Sequence, residues 1–231
     1  CAFFEPVPRQ AGTRWARSVN SVDAGELQQA LYLGECLMVD LRRDQEFQAE
    51  HIPGSSLATY RPEEEELWLE TVASWQRGHR LPLVLTGSER SVLNRLSQRL
   101  EAQGVKILEV LEDALSLWQA NGYDVARIHR LEAQQLAESL DEWRVVDVRE
   151  PHEWESGVIP GAILMTLGAV PERSDELDRS SRYAVVCAHG HRSRLASNWL
   201  ADHGFNVANV EGGMAAWMGS VVYPGGHETE S

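Results

Sequence analysis

The sequence predicts an α/β protein that contains two copies of one domain, each built on a parallel sheet flanked by helices. The first observation is internal repetition. Residues 39–42 (VDLR) match residues 146–149 (VDVR), and residues 52–54 (IPG) match residues 159–161 (IPG), both at a shift of 107 positions. The second observation is that short apolar runs alternate with stretches of helical periodicity in each copy, as in parallel strands joined by helical crossovers. Two domains are therefore expected within the 231 residues.

The elements of the first copy follow an extended arm. Residues 1–16 show no sustained period, and Asp23 is a suitable N-cap for a first helix. Residues 37–41 and residues 81–85 are apolar enough to form buried strands, and a helix is expected over residues 90–103.

The repeat and its intervening polar run divide the chain into five predicted segments. They are an N-terminal arm at residues 1–16, a first domain at 17–122, a linker at 123–130, a second domain at 131–223 and a polar tail at 224–231.

The second copy has a cysteine between a strand and a helix. Residues 183–186 are apolar, and helical periodicity then begins at Arg192 or Ser193. Unpaired N–H groups at a helix start, together with the helix dipole, favour negative charge. The thiol pKa of Cys187 is therefore expected to fall from the free value of ~8.5 toward neutrality or below, with Arg192 adding to the effect. Such a cysteine is a nucleophile.

Three segments of the second copy resemble the rhodanese sulfurtransferases, which carry sulfane sulfur as a cysteine persulfide. Residues 187–192 resemble the six-residue active-site loop of that family, and residues 146–162 and 210–217 resemble its first and last conserved blocks. Val158 departs from the family pattern, which usually has histidine there. The resemblance implies two rhodanese-like domains, each with a parallel five-stranded sheet, and a catalytic Cys187. The substrate-binding residues that it implies are Ala188, His189, Gly190, His191, Arg192 and Ser193.

The first copy lacks this cysteine. Aligning residues 90–91 (RS) with residues 192–193 (RS) places Leu85 at the position of the cysteine and Glu89 at that of His191. The first domain is therefore expected to be catalytically silent, because it has no sulfur nucleophile and an added negative charge that repels anions. A retained anion site or partner site in this domain stays open.

Composition limits the partners and the compartment. A net charge of −14 argues against nucleic acid, which binds basic surfaces, and no apolar run approaches the ~20 residues of a membrane span. Cys1, Cys36 and Cys187 are too few and too widely spaced for a disulfide framework, which predicts a reducing cytoplasm. Cys36 lacks the neighbours of Cys187 and is expected to be structural.

Two other sets of residues have simpler interpretations. Cys187, His189 and His191 have the spacing of metal ligands, but no nearby fourth ligand is evident, so neither a metal nor a cofactor is predicted. Asp147 and Arg149 recur in the silent copy, which favours a structural ion pair over a catalytic role.

The predicted function is sulfur transfer through a persulfide on Cys187. The donor would be thiosulfate or a related small anion, and the acceptor would be cyanide, a small thiol or a protein thiol. One alternative is a cysteine phosphatase or arsenate reductase, whose related loop is one residue longer. The other is a sensor or protein-interaction module in which the persulfide or a bound anion is only a signal.

Overall fold

The computed structural model describes residues 23–224, which divide into two compact α/β units between Val125 and Ala126. We call residues 23–125 the first domain and residues 126–224 the second domain. Each has its own parallel sheet and its own hydrophobic core. The predicted tandem α/β fold is thereby confirmed. None of the helices in the described range has the length and hydrophobicity to cross a bilayer.

The first domain has a sheet of four parallel strands. The strands are β1 (Leu37–Asp40), β2 (Ser56–Leu57), β3 (Leu83–Gly87) and β4 (Ile107–Glu112). The helices are α1 (Ala24–Tyr32), α2 (Asp44–Ala49), α3 (Glu65–His79), α4 (Arg90–Ala102) and α5 (Ala114–Ala120). The spatial order is β2-β1-β3-β4, so the carboxyl ends of all four strands lie at one edge of the sheet.

The second domain has a sheet of five parallel strands. The strands are β5 (Ile128–Glu132), β6 (Arg144–Asp147), β7 (Ile163–Leu164), β8 (Arg182–Val186) and β9 (Asn206–Glu211). The helices are α6 (Ala133–Glu138), α7 (Pro151–Trp154), α8 (Val170–Arg173) and α9 (His191–Asp202). The spatial order is β5-β9-β8-β6-β7, which places β8 at the centre of the sheet.

The apolar composition of β8 explains its central position. Successive strand residues point to opposite faces, so Tyr183 and Val185 pack into one core layer while Ala184 and Val186 pack into the other. All four are fully buried, as expected for a strand covered on both faces. Cys187 continues the alternation on the side of Tyr183 and Val185, the face that α9 covers.

The structure changes several predicted boundaries. Strand β5 begins at Ile128, so residues 128–130 of the predicted linker belong to the second sheet, where they pair with β9. His129 and Arg130 are polar and exposed because β5 lies at the edge of the sheet, and the sequence pattern therefore resembled a linker. The predicted arm and most of the predicted tail lie outside the described residues. So does the position before α1 where a fifth strand of the first domain, corresponding to β5, would fall.

Backbone hydrogen bonds correct the predicted alignment of the two domains. Leu41 N donates to Thr86 O and Val148 N donates to Val186 O, each at 2.9 Å. Strand register agrees, because Asp40 pairs with Thr86 and Asp147 pairs with Val186. The residue that corresponds to Cys187 is therefore Gly87, and the prediction of Leu85 was wrong.

The same correspondence holds along the helix that follows the loop. Val105 N donates to Leu100 O, and Phe205 N donates to Leu200 O, so a shift of 100 positions persists to the helix end. Glu89 then corresponds to His189 rather than to His191. The dipeptide at residues 90–91 repeats the one at 192–193 without occupying the same place.

Candidate active site

Cys187 lies at the carboxyl end of β8, where the chain turns into α9. Its Sγ accepts a hydrogen bond from Gly190 N at 3.2 Å and one from the Ser193 hydroxyl at 3.4 Å. Gly190 is the N-cap of α9 and has a φ of 93°, a conformation that side chains of L-residues rarely adopt. The turn at this glycine directs the loop amides toward the sulfur. The helix begins at His191, one or two residues before the predicted start.

The pKa of the Cys187 thiol lies below its ordinary value. Burial is the largest single influence and raises the pKa, because only 2% of the residue is exposed. The Ser193 hydroxyl and the backbone N–H groups of Ser193, His189 and Gly190 lower it, and together they outweigh burial. Hydrogen bonds to the sulfur thus favour the thiolate although it lies in a largely apolar core. The thiolate is the form of cysteine that acts as a nucleophile.

Cys36 shows what burial does without such donors. It is buried in the apolar core of the first domain, and burial followed by the field of Glu35 raises its pKa to about 12. Cys36 therefore stays protonated at neutral pH, in agreement with its expected structural role.

Arg192 is held in an ion pair with Glu153. Its Nη1 donates to Glu153 Oε2 at 2.5 Å, and its Nη2 donates to Glu153 Oε1 at 2.7 Å. Hydrogen bonding to Arg192 is the main reason why the pKa of Glu153 falls to about 2. The sequence predicted that Arg192 would act on the thiol, but the groups that chiefly lower the thiol pKa are the Ser193 hydroxyl and the loop amides.

Glu153 is a residue of the site that sequence reasoning missed. Its carboxylate also accepts a hydrogen bond from Glu150 N at 2.9 Å, which caps α7. The spacing of Glu150 and Glu153 is that of a capping box, so the helix cap was detectable in the sequence. Its pairing with Arg192, 39 positions away, depends on the fold and was not.

Asp147 and Arg149 form a buried ion pair behind the loop. The Arg149 guanidinium donates to both carboxylate oxygens of Asp147 and to the backbone carbonyls of Glu153 and Gly157. The pair therefore anchors α7, which in turn supplies the carboxylate that holds Arg192. This arrangement agrees with the structural role expected from the sequence.

The turn after β9 supports the loop from behind. Met214 N donates to Cys187 O at 2.7 Å, and Ala215 N donates to Ala188 O at 2.9 Å. A Cβ on Gly213 would lie 2.2 Å from Cys187 O, and its φ is 58°, so this position requires glycine. The turn itself is a short 3-10 helix, Gly213–Ala216.

The side chains of the remaining predicted loop residues lie closer to solvent than that of Cys187. His189 and His191 have exposed side chains, while Ala188 is half-buried. Within residues 23–224, no three His, Cys, Asp or Glu side chains are grouped as metal ligands, so the alternative set of Cys187, His189 and His191 is not assembled.

An α/β domain with a parallel sheet and an activated thiol at a strand-to-helix turn belongs to a class of cysteine-dependent proteins. Comparison with known proteins identifies the family. Residues 23–121 and 132–220 both match the rhodanese-like domain. The chain therefore belongs to the rhodanese-like family and carries two such domains, as the sequence motifs predicted.

The relatives described next each match about one domain of this chain. YtwF of Bacillus subtilis (strain 168) is 35% identical over 96 residues, which cover 42% of this chain and 93% of that protein. A sulfurtransferase of Allochromatium vinosum is 34% identical over 86 residues, covering 37% and 79% respectively. The solved structure of a rhodanese-related protein from Thermoplasma volcanium is 37% identical, covers 41% of this chain and 97% of that chain, and has a TM-score of 0.40.

Proposed function

We propose that this protein is a sulfurtransferase that carries a sulfur atom as a persulfide on Cys187. The observation that supports the proposal is the hydrogen-bonded sulfur, whose donors are the Ser193 hydroxyl and the Gly190 amide. These groups stabilise a thiolate before the reaction, and the loop amides can stabilise the terminal sulfur of a persulfide, which is also anionic. Family membership through both matched segments adds support.

The proposed reaction has two nucleophilic steps. The Cys187 thiolate attacks the outer sulfur of thiosulfate, an S–S bond forms to the cysteine, and the S–S bond of the donor breaks to release sulfite with its electron pair. Cyanide or a thiolate then attacks the terminal sulfur of the persulfide, which leaves as thiocyanate or a new persulfide and regenerates the Cys187 thiolate. Mercaptopyruvate is an alternative donor for the first step, because its keto group lets the C–S bond break with release of the pyruvate enolate, which then takes up a proton.

Intact-mass measurement tests the first step. After incubation with thiosulfate and removal of the donor, the wild-type chain should gain the mass of one sulfur atom, and addition of cyanide should remove it. Cys187→Ser is the control and should gain nothing. The proposal fails if the wild-type protein takes up no sulfur from thiosulfate or a mercaptoacid, or if the variant takes up as much.

The same preparation separates the alternatives. Hydrolysis of an aryl phosphate that depends on Cys187, without sulfur loading, would indicate a phosphatase. Normal loading with no transfer to cyanide, a small thiol or a protein thiol would indicate a sensor.

A further inference from the structure

The first domain contains a cavity of about 480 Å³ where the carboxyl ends of β1, β3 and β4 meet. Gly87 and Ser88 line it, and these residues correspond to Cys187 and Ala188. The cavity therefore lies beside the loop that corresponds to the one holding Cys187, on the other face of the sheet from the position of the sulfur. Its volume falls within the ~300–1,000 Å³ of small-molecule sites, and ligands of open parallel sheets bind at this edge.

A difference in backbone hydrogen bonding accompanies the cavity. In the second domain, the turn after β9 bonds to the carbonyls of both residues 187 and 188. In the first domain, Asp113 N keeps the first of these bonds, to Gly87 O at 2.9 Å. The next amide, Ala114 N, donates instead to Thr86 Oγ1 at 3.2 Å. The hydrogen bond that the second domain makes to the carbonyl of residue 188 is thereby replaced by a hydrogen bond to the side chain of Thr86, which lines the cavity.

The charged groups of the lining favour a cation. The Arg42 guanidinium is already bound to both oxygens of Asp40 and to Glu50 O, so this pair is close to neutral. Glu112 and Asp113 add two carboxylates with no basic side chain beside them in the lining. A ligand with an ammonium group would offset this charge, whereas an anion such as thiosulfate would be repelled.

The buried part of the lining specifies the rest of the ligand. Met38, Ile52 and Leu115 provide apolar surface for a short aliphatic chain. Thr86 is only 5% exposed, and its oxygen accepts from Ala114 N, but its own hydroxyl hydrogen has no acceptor among the described residues. A buried donor of this kind favours a ligand that brings an acceptor.

We infer that the cavity binds a small aliphatic amine that carries a hydrogen-bond acceptor, such as an amino alcohol. The ammonium group faces Glu112 and Asp113, the chain packs on the apolar surface, and the acceptor takes the Thr86 hydrogen. The site involves no residue of the second domain, so it is independent of the proposed sulfur transfer.

Three probes of matched length test the inference by NMR titration of the whole chain. They are 4-amino-1-butanol, 1,4-butanediol and 4-hydroxybutanoate, which share a hydroxyl group and differ in charge. The aminobutanol should shift the amide signals of Ser88, Asp113 and Ala114 in a saturable way, the diol should bind at least about fivefold more weakly, and the anion should not bind. Tighter binding of the anion, or no saturable shift with the amine, would overturn the inference.

Paired variants locate the site. Glu112→Gln with Asp113→Asn should weaken binding of the aminobutanol about tenfold, as expected for the loss of two charge-assisted contacts. Asn keeps the capping ability of Asp113 and tolerates its left-handed backbone, so the turn should persist. Glu70→Gln with Glu101→Gln removes the same charge at exposed positions outside the cavity and should leave affinity within about twofold. Equal weakening by both pairs would show nonspecific attraction to an acidic surface and would refute the site.

Discussion

The two strand-to-helix turns of this protein occupy the same place in the fold, with the same number of residues between matching hydrogen bonds, yet they surround different interiors. In the second domain, Cys187 is joined by the Ser193 hydroxyl, which donates to its sulfur. In the first domain the corresponding residues are Gly87 and Leu93. A Cβ added to Gly87 would lie 3.3 Å from Leu41 Cβ and 3.5 Å from Leu93 Cδ2, so apolar side chains crowd the space that a sulfur would need. The first loop has apolar packing at the position where the second has its cysteine.

Both domains have a buried ion pair that supports the loop from behind. Asp40 and Arg42 are paired as Asp147 and Arg149 are, and in each domain the guanidinium also donates to a backbone carbonyl beyond the following helix. The support is therefore separable from the reactive groups.

Cys187→Ser should abolish sulfur loading and lower sulfur transfer by at least about 10³-fold, because Cys36, the other cysteine that the structure describes, is buried and protonated. The converse variant Gly87→Cys should not create a second reactive site, since Ser193 and Arg192 have Leu93 and Val92 as their counterparts. Intact-mass measurement after thiosulfate treatment shows whether either variant gains a sulfur atom. Loading at residue 87 would show that the two interiors differ less than the packing indicates.

Gly213→Ala should destabilise the second domain by roughly 2–4 kcal/mol, because the new Cβ would collide with Cys187 O at a positive φ. Urea unfolding measures the loss. Gly168→Ala is the matched control, since Gly168 has open space around its Cα and an ordinary φ, and it should change stability by less than about 1 kcal/mol. Similar values for the two variants would mean that the turn does not hold the loop as closely as described.

Glu153→Gln should lower the transfer rate about tenfold by freeing the Arg192 side chain from its bidentate pair. Glu46→Gln is the control, because Glu46 caps α2 through Arg43 N as Glu153 caps α7 through Glu150 N, but its domain has no equivalent of Arg192. Steady-state kinetics should respond to the first variant alone. An equal effect of Glu46→Gln on transfer would argue that general helix capping, rather than Arg192, is responsible.

The same pair predicts a dependence of stability on pH. Pairing lowers the folded-state pKa of Glu153 from 4.5 to about 2, so its stabilising contribution is complete above pH 4.5 and is lost as pH falls toward 2. Because the pair is partly exposed, the contribution should be at most about 1 kcal/mol. The difference in unfolding free energy between wild type and Glu153→Gln should therefore shrink on acidification over this range.

Ser193→Ala should cause a loss of about fivefold in alkylation of Cys187 at neutral pH, equivalent to about 1 kcal/mol. The hydroxyl lowers the thiol pKa by donating to the thiolate, so its removal should move the rise of alkylation rate with pH to higher pH. Iodoacetamide kinetics followed by peptide mass measurement separate Cys187 from Cys36, which serves as an internal reference. An unchanged pH profile would assign the low pKa to the backbone amides alone.

The sequence was sufficient for the features that depend on local pattern. Residues 183–186 predicted a strand buried on both faces, and the position of Cys187 at a helix start predicted a lowered thiol pKa; the structure has both. The alignment of the loops failed because a repeated dipeptide at 90–91 was given more weight than loop length. The link from Glu153 to Arg192 spans 39 positions and is created by folding. No periodicity along the chain records such a contact.

The buried Asp-x-Arg pairs have a consequence for how duplicated domains diverge. Since the groups that maintain the architecture are distinct from those that react, one copy can lose its cysteine and remain folded. The edge of its sheet then no longer has to hold a reactive cysteine, and a binding site for another ligand can form there. New binding sites can form because the fold does not depend on the reactive groups.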